Sequence, residues 1–337
     1  MNSLKPMLLT SLKSYNRSQF IKDVTAGIIV AIIALPLSIA LALASGVGPE
    51  AGIFTAIVAG FVISALGGSS VQIAGPTAAF ATIVAGIVAK DGMDGLVIAT
   101  ILAGIFLVLM GLCHFGSLIK FIPFTITTGF TSGIAVTIVI GQLKDFFGLT
   151  YPDGVKPIET TEKFRAVVEN FSTINIDALI VGAVSLAVLI IAPYIFKRIP
   201  GSLIAVIVGI LMVQFLPLKV STIGNLYTIS NSLPSFHLPA VSLEVVQNAL
   251  PNAFTIAVLA AIESLLSCVV ADGMINGKHR SDMELVAQGA GNIASALSVE
   301  SPRQERLQEL LQISKTEDVL RLPESFIPLH WSLCLSY

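Results

Sequence analysis

The sequence predicts an all-α polytopic membrane protein, and three observations carry that prediction. Of 337 residues, 54% are hydrophobic and only 12% charged, with a mean hydropathy of +0.87, far outside the range of a soluble domain. Apolar stretches recur at lengths near the ~20 residues that cross a bilayer. Basic residues gather in alternate connecting loops.

Residues 1–22 read as a cytoplasmic segment. Within it Met7 to Phe20 alternates apolar residues with Lys13 and Arg17, the pattern of a helix lying in the membrane interface. A transmembrane domain over 23–297 follows, with about nine spans near 24–44, 51–66, 71–89, 95–113, 121–142, 177–195, 201–217, 243–271 and 283–297. The first span is too long for the apolar core of a signal peptide. With the N-terminus inside, Lys5, Lys13, Arg17, Lys22, Lys120, Lys197, Arg198, Lys278 and Arg280 fall on one side, which obeys the positive-inside rule; the expected location is the cell membrane, plasma or inner. Seven crossings separate the first span from that at 243–271, so the two run in opposite directions, as at the start of an inverted repeat. The expected fold is a 7+7 inverted repeat whose halves each carry a short broken third element, strand plus half-helix. This chain holds the first repeat and the start of the second.

The broken element is Val71-Gln72-Ile73-Ala74-Gly75-Pro76-Thr77-Ala78-Ala79-Phe80. Irregular backbone at bilayer depth lines a protein-enclosed or watery cavity, because lipid cannot satisfy its polar groups. Pro76 suits the first turn of a helix, which would leave the amides of Thr77, Ala78 and Ala79 at the positive end of a half-helix dipole. Such an end holds anions. Glu263 reads as the only acid deep in an apolar span. An ionised carboxylate there costs several kcal/mol, so it has a partner or takes up a coupling ion, H⁺ or Na⁺. Gly46, Gly48, Gly52 and Gly60 read as close helix packing, and Lys278-His279-Arg280 as a solvated loop. Cys113, Cys268 and Cys334 match no metal or redox spacing. No nucleophile–base pair or metal cluster marks an enzyme, and nothing marks a nucleic-acid partner or a resident cofactor.

Several runs, in order, resemble the SulP anion transporters, called SLC26 in animals. They are Asp23-Val24-Thr25-Ala26-Gly27, Ala34-Leu35-Pro36-Leu37-Ser38, Gly48-Pro49-Glu50-Ala51-Gly52, Leu66-Gly67-Gly68-Ser69, Gly75-Pro76-Thr77, Gly129-Phe130-Thr131-Ser132-Gly133 and Ala261-Ile262-Glu263-Ser264-Leu265, followed by Ala271-Asp272-Gly273-Met274. The resemblance implies an elevator-like carrier, a homodimer in its full-length form, that moves sulfate, bicarbonate or a dicarboxylate. It places the anion between the N-termini of the third and tenth elements, near the first and eighth. The implied substrate residues are Pro36, Leu37, Ala74, Gly75, Pro76, Thr77, Ala78, Ser264 and Ser267, with Glu263 coupling the ion. Many animal members carry Gln where Leu37 stands, so here more of the binding falls to backbone dipoles. The alternatives are a nucleobase carrier of the same architecture and a non-transporting membrane fragment.

From Ser298 the charged fraction rises to about a quarter, and no cap or turn closes the apolar run at Ala296-Leu297. The region 298–337 therefore reads as an aberrant tail, out of frame. Shifted by one nucleotide, degenerate codons permit a stretch resembling the tenth element of the same transporters. A chain that ends as written is expected to be transport-inactive.

Overall fold

A computed structural model describes residues 4–121, 124–152, 154–155, 157–196, 199–227 and 242–298. Lys197, Arg198 and the tail from 299 onward lie outside them. Among the described residues the architecture is all-helical, with no strand. Five helices are long and apolar enough to cross a membrane: α2 (Arg17–Ala44), α3 (Pro49–Leu66), α4 (Ala78–Leu112), α7 (Ile176–Ile195) and α10 (Leu243–Ile275). α5 (Phe124–Phe146) occupies the fifth expected stretch. α8 (Gly201–Phe215) and α11 (Ser281–Ala296) are shorter, at 15 and 16 residues. Two spans expected separately, 71–89 and 95–113, are arms of α4 joined at Gly92, whose φ of 71° is the left-handed conformation that glycine adopts without a Cβ penalty.

The interfacial helix is shorter than its periodicity implies. α1 covers Leu8–Ser11, a 3₁₀ turn covers Leu12–Ser14, and Tyr15 is extended. The break has a local cause, since Asn16 caps α2 by accepting from the Gln19 amide at 2.9 Å and so restarts the helix.

The chain divides into two units. The first joins the N-terminal segment, the end of α2 from Ser38, α3, α4, α10 and α11; the second joins residues 26–37 of α2, most of α5, α6 (Thr160–Glu169), α7 and α8. In the first unit, α11 packs on α4 and α3, and α10 packs on α4. Its core is Ile98, Ala99, Ala103 and Leu107 of α4 against Ala253, Ile256, Ala257 and Leu265 of α10, with Leu285 of α11. Lipid tails are as apolar as these side chains, so the small residues matter for allowing backbones to approach and gain dispersion contacts. A Cβ on Gly52 would overlap the Ser38 carbonyl oxygen, and one on Gly60 would meet the Ala74 carbonyl at 3.3 Å; Gly46 and Gly48 face open space, so close packing accounts for only two of the four. In the second unit α7 packs on α8. Phe147 stacks edge-on against Phe146 and Phe171, each at 5.4 Å. Asn175 caps α7 by accepting from the amides of Asp177 and Ala178.

Candidate functional site

Residues 72–77 form neither helix nor paired strand, and α4 begins at Ala78. Thr77 is the N-cap (φ −125°, ψ 151°), which places Pro76 one residue before the cap rather than inside the first turn. The exposed helix amides are therefore shifted one residue along from the expected set. The Phe80 amide bonds the Thr77 carbonyl at 3.3 Å, while those of Ala78 and Ala79 have no carbonyl partner by helix geometry. The Thr77 side chain does not cap them. Its hydroxyl turns away and donates to Glu263 Oε2 at 3.1 Å. One contact thus joins the broken element to α10 and leaves the positive end of α4 open.

That end faces a cavity of about 330 Å³ inside the first unit. Its walls are Gln72–Thr77 and Phe80 on one side, Glu263, Ser264 and Ser267 of α10 on another, and Gln288, Asn292 and Ser295 of α11, with Ser45, Thr55 and Thr100. Among the described residues, no lysine or arginine lines it. Of the sequence-predicted site residues, Ala74, Gly75, Pro76, Thr77, Glu263, Ser264 and Ser267 meet here, and Ala78 opens the helix at its edge. Pro36, inside α2, and Leu37, 55% exposed, are not among the lining residues.

Glu263 is not the only acid within the apolar stretches. Glu284, in the first turn of α11, is 0% exposed. Its Oε2 accepts from the amides of Gly68 at 2.9 Å and Ser69 at 3.3 Å. Its Oε1 accepts from Gln288 Nε2 at 3.0 Å and Ser264 Oγ at 3.3 Å. Gly68 is required for this approach, because a Cβ there would overlap the Arg280 carbonyl oxygen. The sequence held a signal for these residues. Glu284, Gln288 and Asn292 recur every four residues, and a polar stripe on an otherwise apolar helix turns inward.

The Lys278-His279-Arg280 stretch is also not a simple solvated loop. The His279 amide donates to Asp272 Oδ2 at 2.9 Å, and Nδ1 and Nε2 lie 2.7 and 2.9 Å from Asp272 Oδ2 and Ser281 Oγ. The Arg280 guanidinium donates to the carbonyls of Lys5 and Pro6 and to Thr10 Oγ1. The Met7 amide donates to the Gly67 carbonyl at 2.8 Å. These bonds fasten the N-terminal segment to the loop that precedes the broken element.

Comparison with known proteins places this geometry in a family. The model of the sulfate permease family matches residues 20–302. YvdB of Bacillus subtilis is 40% identical over 291 residues, 85% of this chain and 54% of that protein. The bicarbonate transporter BicA of Picosynechococcus is 32% identical over 286 residues, 82% of this chain and 50% of that protein. The chain spans about half the length of these curated relatives. Among solved structures, the transmembrane domain of a cyanobacterial BicA superposes with a TM-score of 0.70 at 30% identity, covering 81% of this chain and 70% of that one. SLC26A9 superposes at 0.72 with 20% identity, covering 88% and 50%, a likeness of fold alone. With its match running from the first long helix through α11, the chain is a multi-pass membrane protein that belongs to the sulfate permease family.

Proposed function

We propose that the chain forms the anion-holding core of a secondary anion transporter, working by an elevator-like movement as a homodimer in the cell membrane with its N-terminus in the cytoplasm. The observation that carries this reading is the Thr77 hydroxyl bound to Glu263, which leaves the amide end of α4 free toward the cavity. Those amides and the helix dipole supply the positive potential that an anion needs in a cavity lined, among the described residues, by no cationic side chain.

Glu263 gives the cavity its coupling logic. An anion about 6 Å from an ionised carboxylate is repelled by about 3 kcal/mol at an effective dielectric of about 20. A proton or Na⁺ taken up with the anion removes that repulsion, so a cation gradient can drive the anion. Sulfate and bicarbonate are the leading substrates, because relatives named for these two ions share the matched region, with a dicarboxylate as a third.

The test is uptake of labelled sulfate and bicarbonate into proteoliposomes under imposed Na⁺ and proton gradients. It uses the chain as written, expected to be silent, and the chain with its reading frame restored after Leu297. Uptake by the restored form, driven by one of the gradients, is expected. Glu263→Gln should uncouple uptake from the gradient, and Thr77→Val should weaken anion affinity. Restored protein that moves neither anion, or uptake indifferent to both substitutions, would overturn the reading.

A further inference from the structure

Glu284 has no place in the coupling scheme above, yet it is the one charged side chain with no exposure among the described residues. A buried carboxylate is costly unless donors compensate it. Here four donors fill the acceptor capacity of its two oxygens. Apart from Gln288 on α11 itself, those donors come from the loop leading into one wall of the anion cavity and from α10, which forms another. Gly68 and Ser69 stand four and three residues before Gln72, where the irregular run that ends at Thr77 begins. Ser264 is the immediate neighbour of Glu263 on α10. A single side chain on a third helix, α11, therefore spans the two groups whose separation defines the cavity. Gly67 and Gly68 carry no Cβ that would hold the loop away; one on Gly67 would come within 3.3 Å of Glu284 Oε2.

We propose that Glu284 is a positioning residue. By accepting from Gly68, Ser69 and Ser264, it sets the distance between the amide end of α4 and the Glu263 carboxylate, and so sets anion affinity without touching the anion. This inference rests on the reading of the cavity as an anion site. Among the described residues, further ties between the walls are the Thr77–Glu263 bond itself, a weak thiol donor, Cys268 Sγ to Gln72 Oε1 at 3.3 Å, and a Ser69–Cys268 side-chain contact. The Gly67 and Gly68 carbonyls are held by the Met7 and Arg280 amides at 2.8 and 2.9 Å, whereas the Gly68 and Ser69 amides donate to Glu284.

Charge and position give opposite signs, and that separates them. If Glu284 acted through its charge, any neutral replacement would remove a repulsion and tighten anion binding. If it acts through its hydrogen bonds, the outcome depends on acceptors. Glu284→Gln keeps an oxygen for Gly68 and Ser69 and turns its amide to Ser264 and Gln288, which can reorient to accept. Glu284→Met keeps the bulk and orphans both loop amides. Glu284→Asp keeps the charge and retracts it by one methylene.

The experiment measures equilibrium binding of labelled sulfate per folded molecule, together with amide exchange over residues 67–77, on the full chain and the three variants. Glu284→Gln should stay within about threefold of the parent, while Glu284→Met and Glu284→Asp should weaken binding about tenfold and raise exchange over 67–77 but not over α10. If Glu284→Met does not fold, Glu284→Asp against Glu284→Gln carries the same contrast. Equal tightening in both neutral variants, or parent-like binding and exchange in Glu284→Asp, would overturn the inference. A parent chain that binds no sulfate would count against the anion site instead, and the exchange pattern would still decide whether Glu284 holds the loop.

Discussion

In α4 and α10, 44% of the most apolar eighteen-residue stretch is buried inside the protein, whereas in α7 the figure is 11%. All three are apolar enough to cross a bilayer, so hydropathy does not separate them. Residue size does. α10 carries Ala249, Ala253, Ala257 and Ala261 at four-residue spacing, and α4 carries Ala99, Ala103 and Leu107 in the same rhythm, all buried. These ridges let helix backbones come close where lipid offers no hydrophobic drive for association. α7 instead presents Leu186, Leu189, Ile190 and Ile191 outward, each more than 40% exposed. Bulky aliphatic side chains match lipid, and small ones match protein. The cavity, the half-buried Glu263 and the buried Asp282 and Glu284 all lie in the unit built on small residues.

The sharpest way to break that comparison is at the closest approach in the cavity unit. Gly68→Ala adds a methyl where the Arg280 carbonyl already stands. The substitution should cost about 2 kcal/mol or more, read as a lowered thermal midpoint in detergent with loss of folded yield. An unchanged midpoint would mean that the 67–69 loop yields freely. A paired substitution comes next in size. Ala257→Leu, in the packed ridge of α10, should destabilise by about 1–3 kcal/mol. Ala187→Leu, on the exposed side of α7, should stay within about 0.5 kcal/mol. Equal effects at the two sites would dissolve the distinction between protein-facing and lipid-facing helices.

The smallest effect belongs to the second unit, outside the membrane. The amides of Ile158 and Glu159 donate to Glu162 at 3.0 and 3.2 Å and hold its carboxyl below the usual carboxylate range. A carboxylate favoured in the folded state stabilises above its ordinary pKa of about 4.3, and that support is lost as the pH falls through the lowered folded value. The first turn of α6 should therefore loosen in acid, seen as faster amide exchange at Glu162 and Lys163 once the known pH dependence of intrinsic exchange is removed. Glu162→Ala should show the loosened exchange already at neutral pH.

The places of the apolar helices were legible in the sequence, five of them long enough to cross a bilayer. Gly92 even separates the two arms of α4 in the interval between the two stretches expected there. Helix starts were less legible, because caps act through one residue. Asn16 restarts α2 inside what periodicity reads as one interfacial helix, and Thr77 moves the start of α4 by one position. The site was legible on the Gly75-Pro76 side and at Glu263. Glu284 escaped although it falls inside the expected 283–297 stretch, because it is the second residue of that stretch, four residues after Arg280, and nothing local marks it as buried.

Apolar length, the Gly-Pro break and the placement of basic residues are set by the contrast between water and lipid, which each segment meets on its own. Which stretches are apolar enough for lipid, and where the backbone breaks, can therefore be read residue by residue. Which polar groups meet depends on how the helices pack. Thr77 finds Glu263 across 186 residues, and Gly68 finds Glu284 across 216. No local period encodes such pairs. They follow from the packing of α10 and α11 against α3 and α4, which brings donors and acceptors turned away from lipid within reach of one another.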